Sequence, residues 1–383
     1  MPHRHRELVP VRRSRRLAFL GLLALCCAAC GSAASHAHKV AQASQHHSAS
    51  HGGRPTGSAP HRGQQHRTAA SPSANPSSHV IVGVGDNKTE FLTDPRFLAL
   101  GITHVRDDVP WDVLQEAFPN ARLALWLSEA RREHLTPLIS FDHSGITGRR
   151  RELPSVAEFS KLFLEFRARY PWVTEFVTWD EVNFFLQPTS TDPQRVAGYY
   201  LALRRDCPTC TILAADLLDL PGPQYAVPMV EWVHEFMRYV PTQPAYWGLN
   251  NYVGANGLDT ASTLSFLRSV SGKVWFAETA GVISDGGRAV AATAARLERQ
   301  ATVDRFILGP LADLSQRIQR VYLYEWNAQT DHDGWDSALI SASGTPRPAY
   351  YALAESLATW GIRPDCEIST APPACAAGSN PAG

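Results

Sequence analysis

The sequence predicts an α/β protein, a single (β/α)8 TIM barrel, and three observations predict it. Strand-like apolar runs alternate with helix-like stretches from His79 to Cys366. Eight such runs can be counted, and most are continuously apolar, as parallel strands covered by helices are. The length of this part is close to the roughly 250 residues that such a barrel needs.

In chain order the strands are expected at 80–84, 104–107, 136–141, 175–179, 212–216, 246–250, 274–278 and 321–326. Helix starts fall between them. Asp94-Pro95 and Asp192-Pro193 each place a capping residue before a proline in the first turn. Ser155 and Glu158 have the spacing of a capping box, and Val156, Phe159, Phe163 and Phe166 then recur at helical spacing as one apolar face. That stripe reads as core.

Ahead of the barrel lie two segments of a different kind. Residues 1–30 run from a basic stretch (Arg12 to Arg16) through an apolar run (Leu17 to Leu25) to Ala28-Ala29-Cys30-Gly31, the pattern of a signal peptide. The apolar run is much shorter than the roughly 20 residues of a membrane span. Residues 31–78 are rich in Ser, Ala, His, Gly, Pro and Gln and are expected to form a disordered linker. Its histidines are irregularly spaced and have no Cys or carboxylate among them, so a tether is the reading rather than a metal site. Residues 367–383 read as a flexible tail.

Ala-Ala-Cys-Gly resembles a bacterial lipobox, which implies that Cys30 becomes a lipidated N-terminus and that the protein sits on the outer face of the cell membrane. Cys27 stands where leucine is preferred, and plain secretion is the alternative. In an exported chain Cys207 and Cys210, and Cys366 and Cys375, are expected as disulfides. A redox or metal role for the Cys207-Pro-Thr-Cys210 loop is the alternative to a staple.

Lys plus Arg and Asp plus Glu are equal at 36 each, which argues against nucleic acid as a partner and against a strongly charged substrate. A monomer is expected. No cofactor motif appears. Asp107, Asp108, Asp142, His143 and Asp216 lie at strand ends, yet no HxH or HExxH spacing supports a metal.

Barrel enzymes carry their working groups at the C-terminal ends of strands. The fourth strand runs into Trp179-Asp180-Glu181-Val182-Asn183 and the seventh into Phe276-Ala277-Glu278-Thr279. The 97 residues between the glutamates make about 32 for each of three βα units. Two carboxylates facing each other across a barrel mouth suit glycoside hydrolysis, where one protonates the leaving oxygen and, in retaining enzymes, the other attacks the sugar.

On these residues the chain resembles the large clan of retaining glycoside hydrolases with acid/base and nucleophile on strands four and seven (clan A, cellulase- and β-xylosidase-like). The resemblance implies Glu181 as acid/base and Glu278 as nucleophile. It further implies that Arg106 charge-stabilises the nucleophile, that Tyr252 in Asn250-Asn251-Tyr252 hydrogen-bonds it, and that Trp326 forms an aromatic floor under the sugar. The segments Gly334-Trp335-Asp336 and Pro346-Arg347-Pro348 resemble the closing part of such hydrolases. A carbohydrate substrate, β-linked, follows from the resemblance.

Two positions depart from the clan's pattern: Asp180 replaces its asparagine and Asn250 its histidine. Both are expected at the substrate. An ionised aspartate accepts but cannot donate a hydrogen bond to a sugar hydroxyl, while its charge beside Glu181 raises that residue's pKa and favours a proton donor. A carbohydrate-binding lipoprotein without turnover is therefore the alternative function. A metal-dependent barrel hydrolase would need strand-end histidines at ligand spacing, which the sequence lacks.

Overall fold

The computed structural model describes residues 80–362, except 221, 223, 286–289 and 331–333. The strands are β1 (Ile81–Gly85), β2 (His104–Pro110), β3 (Thr136–Asp142), β4 (Glu175–Val177), β5 (Thr211–Leu213), β6 (Asp216–Leu218), β7 (Tyr246–Asn250), β8 (Lys273–Thr279), β9 (Ser284–Asp285), β10 (Ile318–Tyr324) and β11 (Trp335–Asp336). The helices are α1 (Pro95–Ala99), α2 (Ala117–Arg132), α3 (Val156–Arg169), α4 (Pro193–Asp206), α5 (Met229–Met237), α6 (Tyr252–Gly257), α7 (Ala261–Ser269), α8 (Ala294–Phe306) and α9 (Pro348–Thr359). Cys30, Cys366 and Cys375 lie outside the described residues.

Nine strands form one parallel sheet in the order β5-β4-β3-β2-β1-β10-β8-β7-β6. Its two end strands are halves of one stave. The first half pairs with β4, as Val177 with Leu213, and the second with β7, as Asp216 with Gly248. The eight expected staves are all present, and the fifth, expected to run unbroken over 212–216, changes partner in its middle at Ala214-Ala215. The eighth is shifted: it covers Ile318–Tyr324 rather than 321–326.

Strand alternation sorts the side chains into two layers. Phe141 and Phe176 point outward, stacked with centroids 6.0 Å apart, and Phe159, Phe163 and Phe166 of α3 meet Phe141 edge-on. The expected stripe is core. Its helix begins where Ser155 accepts from the Glu158 amide at 3.1 Å, and Asp94 and Asp192 cap α1 and α4 in the same way. Leu138, Val177, Leu213, Trp275, Ala277 and Tyr322 fill the inside of the barrel. Gly83 faces that layer because a β-carbon there would lie 2.5 Å from the Tyr322 ring. Below it Arg320 pairs with Glu175 through both nitrogens and covers Trp275 at 3.8 Å. A barrel plugged this way holds ligands only at its upper rim.

Cys207 and Cys210 form a disulfide in the turn between α4 and β5, so the loop staple is made.

Candidate active site

Glu278 reaches the barrel mouth through an irregularity in β8. Trp275 and Ala277 both face the inside, so strict alternation would turn residue 278 outward. The pairing with β7 and with β10 shows one extra residue on β8 in the stretch between Trp275 and Thr279. Such a bulge lets consecutive residues share a face and re-aims a side chain. Glu278 gains its position from it.

Glu181 is placed by a turn after β4. Its φ is 43°, in the left-handed region, which costs a non-glycine residue about 1–3 kcal/mol. Backbone bonds hold the turn: Asp180 N to Phe141 O at 2.8 Å, Val182 N to Asp216 O at 2.9 Å and Phe184 N to Glu181 O at 2.9 Å. Glu181, Glu278, Asp180 and Tyr252 all line one cleft of about 140 Å³ over the barrel mouth.

Arg106 lies beneath this cleft, 1 % exposed. Its guanidinium donates to Glu278 Oε2, to Asp180 Oδ1 at 2.6 Å, to Asp108 Oδ2 at 3.0 Å and to Asp216 Oδ2 at 3.3 Å. The other Glu278 oxygen accepts from the Tyr252 hydroxyl at 2.8 Å. One fixed cation thus serves four carboxyl groups. Burial, only partly offset by Arg106, pushes Asp216 up to about 8 and raises Asp108 and Asp180 well above the usual carboxylate range. Glu181 is also raised, first by burial and then by the charges of Asp180 and Glu278. The environment thus favours the protonated form of Glu181, while Glu278 is fixed by two donors.

Two of the expected substrate contacts lie elsewhere. Trp326 is wholly buried in the outer core, edge-on to Phe97 and Tyr350, and donates to Asp94 Oδ2 at 3.0 Å. The reason is the strand end at Tyr324: beyond it the chain turns, and Asp86 Oδ2 takes the amides of Trp326 and Asn327. Tyr324 and Trp335 line the cleft instead. Asn250 is also fully buried, the last residue of β7 in register with Glu278, and is not among the residues that line the cleft.

Several residues without an assigned role prove to be part of the cleft wall. Asp142 Oδ1 accepts from the His143 amide at 2.6 Å and from Gln187 Nε2 at 2.7 Å, and Gln187 Oε1 accepts from Trp179 Nε1 at 3.1 Å. Desolvation of half-buried Asp142 works to raise its pKa, but His143 and these donors outweigh it and hold the pKa low. Asp142 and His143 were visible as strand-end residues. Arg150, Gln187 and Trp335 arrive on long connections whose course no periodicity announces. A wider groove of about 740 Å³ runs between the starts of α4 and α5 past Pro193, Trp232 and Arg238, but it contains none of the sequence-identified site residues.

No protein-family model matches the chain, and no curated protein matches it in sequence. Solved structures do match in fold. The endo-1,4-β-xylanase XylE of Penicillium canescens superposes with a TM-score of 0.53 at 12% identity, covering 72% of this chain and 93% of that one. A GH5_18 protein of Streptomyces cattleya, solved with GlcNAc, gives 0.52 at 15% identity over 74% and 80%. A family 39 glycoside hydrolase from Bacteroides cellulosilyticus gives 0.50 at 14% identity over 73% of this chain, which spans 64% of that longer protein. The fold is that of the barrel glycoside hydrolases. At these identities the likeness carries the architecture, and the chemistry rests on the cleft.

Proposed function

We propose that the protein is a retaining glycoside hydrolase acting by double displacement on O-glycosidic, β-linked bonds of an extracellular or envelope glycan. The observation that carries this reading is the unequal treatment of two carboxyl groups in one cleft. Glu278 is held at both oxygens by Arg106 and Tyr252, an orienting pair suited to a nucleophile, while Glu181 is pushed toward its protonated form. In the first step Glu181 gives its proton to the leaving oxygen as a Glu278 oxygen bonds the anomeric carbon. In the second, Glu181 takes a proton from water, whose oxygen displaces Glu278 and frees the sugar. The fold shared with barrel glycoside hydrolases supports the same reading.

The Ala28-Ala29-Cys30-Gly31 segment supports export and anchoring at the outer face of the membrane through Cys30. A tether of residues 31–78 would then set the barrel within reach of the cell's own envelope as well as of external glycans.

The test of the chemistry is incubation of the protein with activated 2-fluoro-glycosides of several sugars, followed by peptide mass analysis. A covalent sugar on Glu278 is the expected result. Glycan binding without any adduct or turnover would instead favour a carbohydrate-binding protein that has lost its chemistry.

A further inference from the structure

We propose that Asp216 is a positioning residue of the site: its buried carboxyl group fixes the guanidinium of Arg106 and, through it, the orientation of Glu278, a role in turnover that rests on the hydrolase reading above. The fifth stave carries the proposal. Leu213 faces the inside of the barrel, so strict alternation would turn Ala215 inward and Asp216 outward. Instead Ala214 and Ala215 both pack in the outer core, and Asp216 Oδ2 accepts from Arg106 at 3.3 Å. The break in this stave aims Asp216 as the bulge in β8 aims Glu278. Two irregularities on two staves thus turn two carboxyl groups toward one guanidinium.

Backbone bonds fix the break. Ala214 N donates to Tyr246 O at 3.0 Å and Ala215 O accepts from Gly248 N at 2.8 Å, both toward β7. Asp216 turns the other way: its N donates to Trp179 O at 3.2 Å and its O accepts from Val182 N at 2.9 Å. Those two bonds bracket Asp180-Glu181. Asp216 therefore holds the turn that carries Glu181 with its backbone, and the cation that holds Glu278 with its side chain. Room for the side chain comes from Gly248, where a β-carbon would stand 3.0 Å from Asp216 Oδ1.

Arg106 depends on its carboxyl partners for its orientation. Among the described residues no acceptor meets its buried Nε, so Asp108, Asp180, Glu278 and Asp216 hold the guanidinium through its two terminal nitrogens. The first three line the cleft, where the hydroxyls of a sugar would compete for them. Asp216 is wholly buried and is not among the lining residues, so its hold on Arg106 persists when substrate enters. Burial, with the charges of Glu278 and Asp108 adding to it against the pull of Arg106, pushes its pKa up to about 8. The neutral acid favoured at neutral pH accepts from Arg106 without drawing off the positive charge that Glu278 uses.

The experiment reads the guanidinium directly, by nitrogen NMR of the arginine side chains in the full chain, with the Arg106 signals assigned by their loss in Arg106→Lys. Slow rotation about the Cζ–Nε bond is expected in the parent. Asp216→Ala keeps the backbone bonds and removes the side-chain hold, so rotation at Arg106 should quicken about tenfold, whereas Asp216→Asn keeps an acceptor and should stay within about threefold of the parent. Gly248→Ala crowds the carboxyl group without removing it and should quicken rotation too, which serves where Asp216→Ala does not fold. Rotation unchanged in Asp216→Ala and Gly248→Ala, or as fast in Asp216→Asn as in Asp216→Ala, would overturn the proposal whatever the activity. Where the parent turns over, adduct formation from 2-fluoro-glycosides should slow about tenfold in Asp216→Ala, with kcat of an aryl glycoside falling more than KM changes, and recover in Asp216→Asn. Quickened rotation with adduct formation at the parental rate would overturn the link to Glu278. A parent that forms no adduct and has no turnover, yet shows these changes in rotation, would sink the hydrolase reading and leave Asp216 as the residue that positions Arg106.

Discussion

The Tyr252 hydroxyl donates to Glu278 Oε1 at 2.8 Å, while the other oxygen of the same carboxylate is taken by Arg106. Two donors, one on β2 and one at the start of α6, fix the plane of the carboxylate proposed as the nucleophile. Hydrogen bonds to charged groups contribute about 1.5–3 kcal/mol, and 1.36 kcal/mol is a factor of ten in rate. Tyr252→Phe is therefore expected to lower kcat/KM by about 10- to 100-fold with the melting temperature little changed. Steady-state kinetics on an aryl glycoside checks it, and an unchanged rate would remove Tyr252 from the machinery.

The two glutamates should fail in different ways. Glu278→Gln has no nucleophile and is expected to lose turnover with every substrate while the fold persists. Glu181→Ala lacks only the proton donor, so substrates whose leaving groups need little protonation, such as dinitrophenyl glycosides, should retain far more of their rate than alkyl glycosides. Equal losses for both leaving groups in Glu181→Ala would contradict its role as the acid.

Two tryptophans near the end of the last stave separate stability from binding. Trp326 is buried against Phe97 and Tyr350, and Trp326→Ala is expected to cost about 3–5 kcal/mol of stability, with KM of the surviving folded protein unchanged. Trp335, on the cleft wall, should give the reverse in Trp335→Ala: KM raised several-fold and a smaller loss of stability. Thermal melts alongside kinetics distinguish them.

That contrast also marks how far the sequence could be read. Glu181 and Glu278 were legible as candidates because each ends an apolar run and the two lie at βα spacing, whereas Arg106 and Tyr252 were named only through the resemblance to the hydrolase clan. Trp326 was misplaced because an apolar run does not announce its last hydrogen bond: the strand ends at Tyr324, and the parity of the following residues changes with the turn. The bulge that aims Glu278 leaves no mark in Trp275-Phe276-Ala277-Glu278, where simple alternation would bury the carboxylate in the outer layer. Arg150 and Gln187, and the cleft position of Trp335 within its recognised closing segment, were illegible for a different reason. Loops have no period, and their side chains meet only once the barrel is closed.

Asp304, on α8 away from the cleft, gives a pH dependence of stability. Its Oδ1 accepts from Gly281 N at 2.7 Å, and burial raises its pKa from 3.8 to about 7. Between those values the folded protein keeps a proton that the unfolded chain has released, so stability is greatest below pH 4 as far as this group is concerned and falls as pH rises to about 7. A three-unit rise corresponds to about 4 kcal/mol. Asp304→Asn keeps the acceptor and removes the titration, so its advantage over the parent should grow by about 3 kcal/mol between pH 5 and pH 8, the two units that lie between pH 5 and the folded value of about 7. Parallel melting curves for the two proteins would dismiss the assignment.

Asp180 tests whether a neighbouring charge tunes the acid. Burial is the largest influence raising Glu181, and Asp180 is the first of the charges that add to it. Glu181 must carry its proton to act, so activity is lost as pH rises through its pKa, and anything that lowers that value moves the alkaline limb toward acid pH. Asp180→Asn removes the charge while its amide oxygen can still accept from Arg106, which now holds Asp180 Oδ1 at 2.6 Å. The alkaline limb of kcat/KM is expected to move down by about 1 pH unit. The new amide also offers the donor that a sugar hydroxyl would use, which alters the plateau rate independently, so the informative quantity is the position of the limb. A limb that stays in place would make the raised value of Glu181 a matter of burial alone and leave Asp180 as a counter-ion for Arg106.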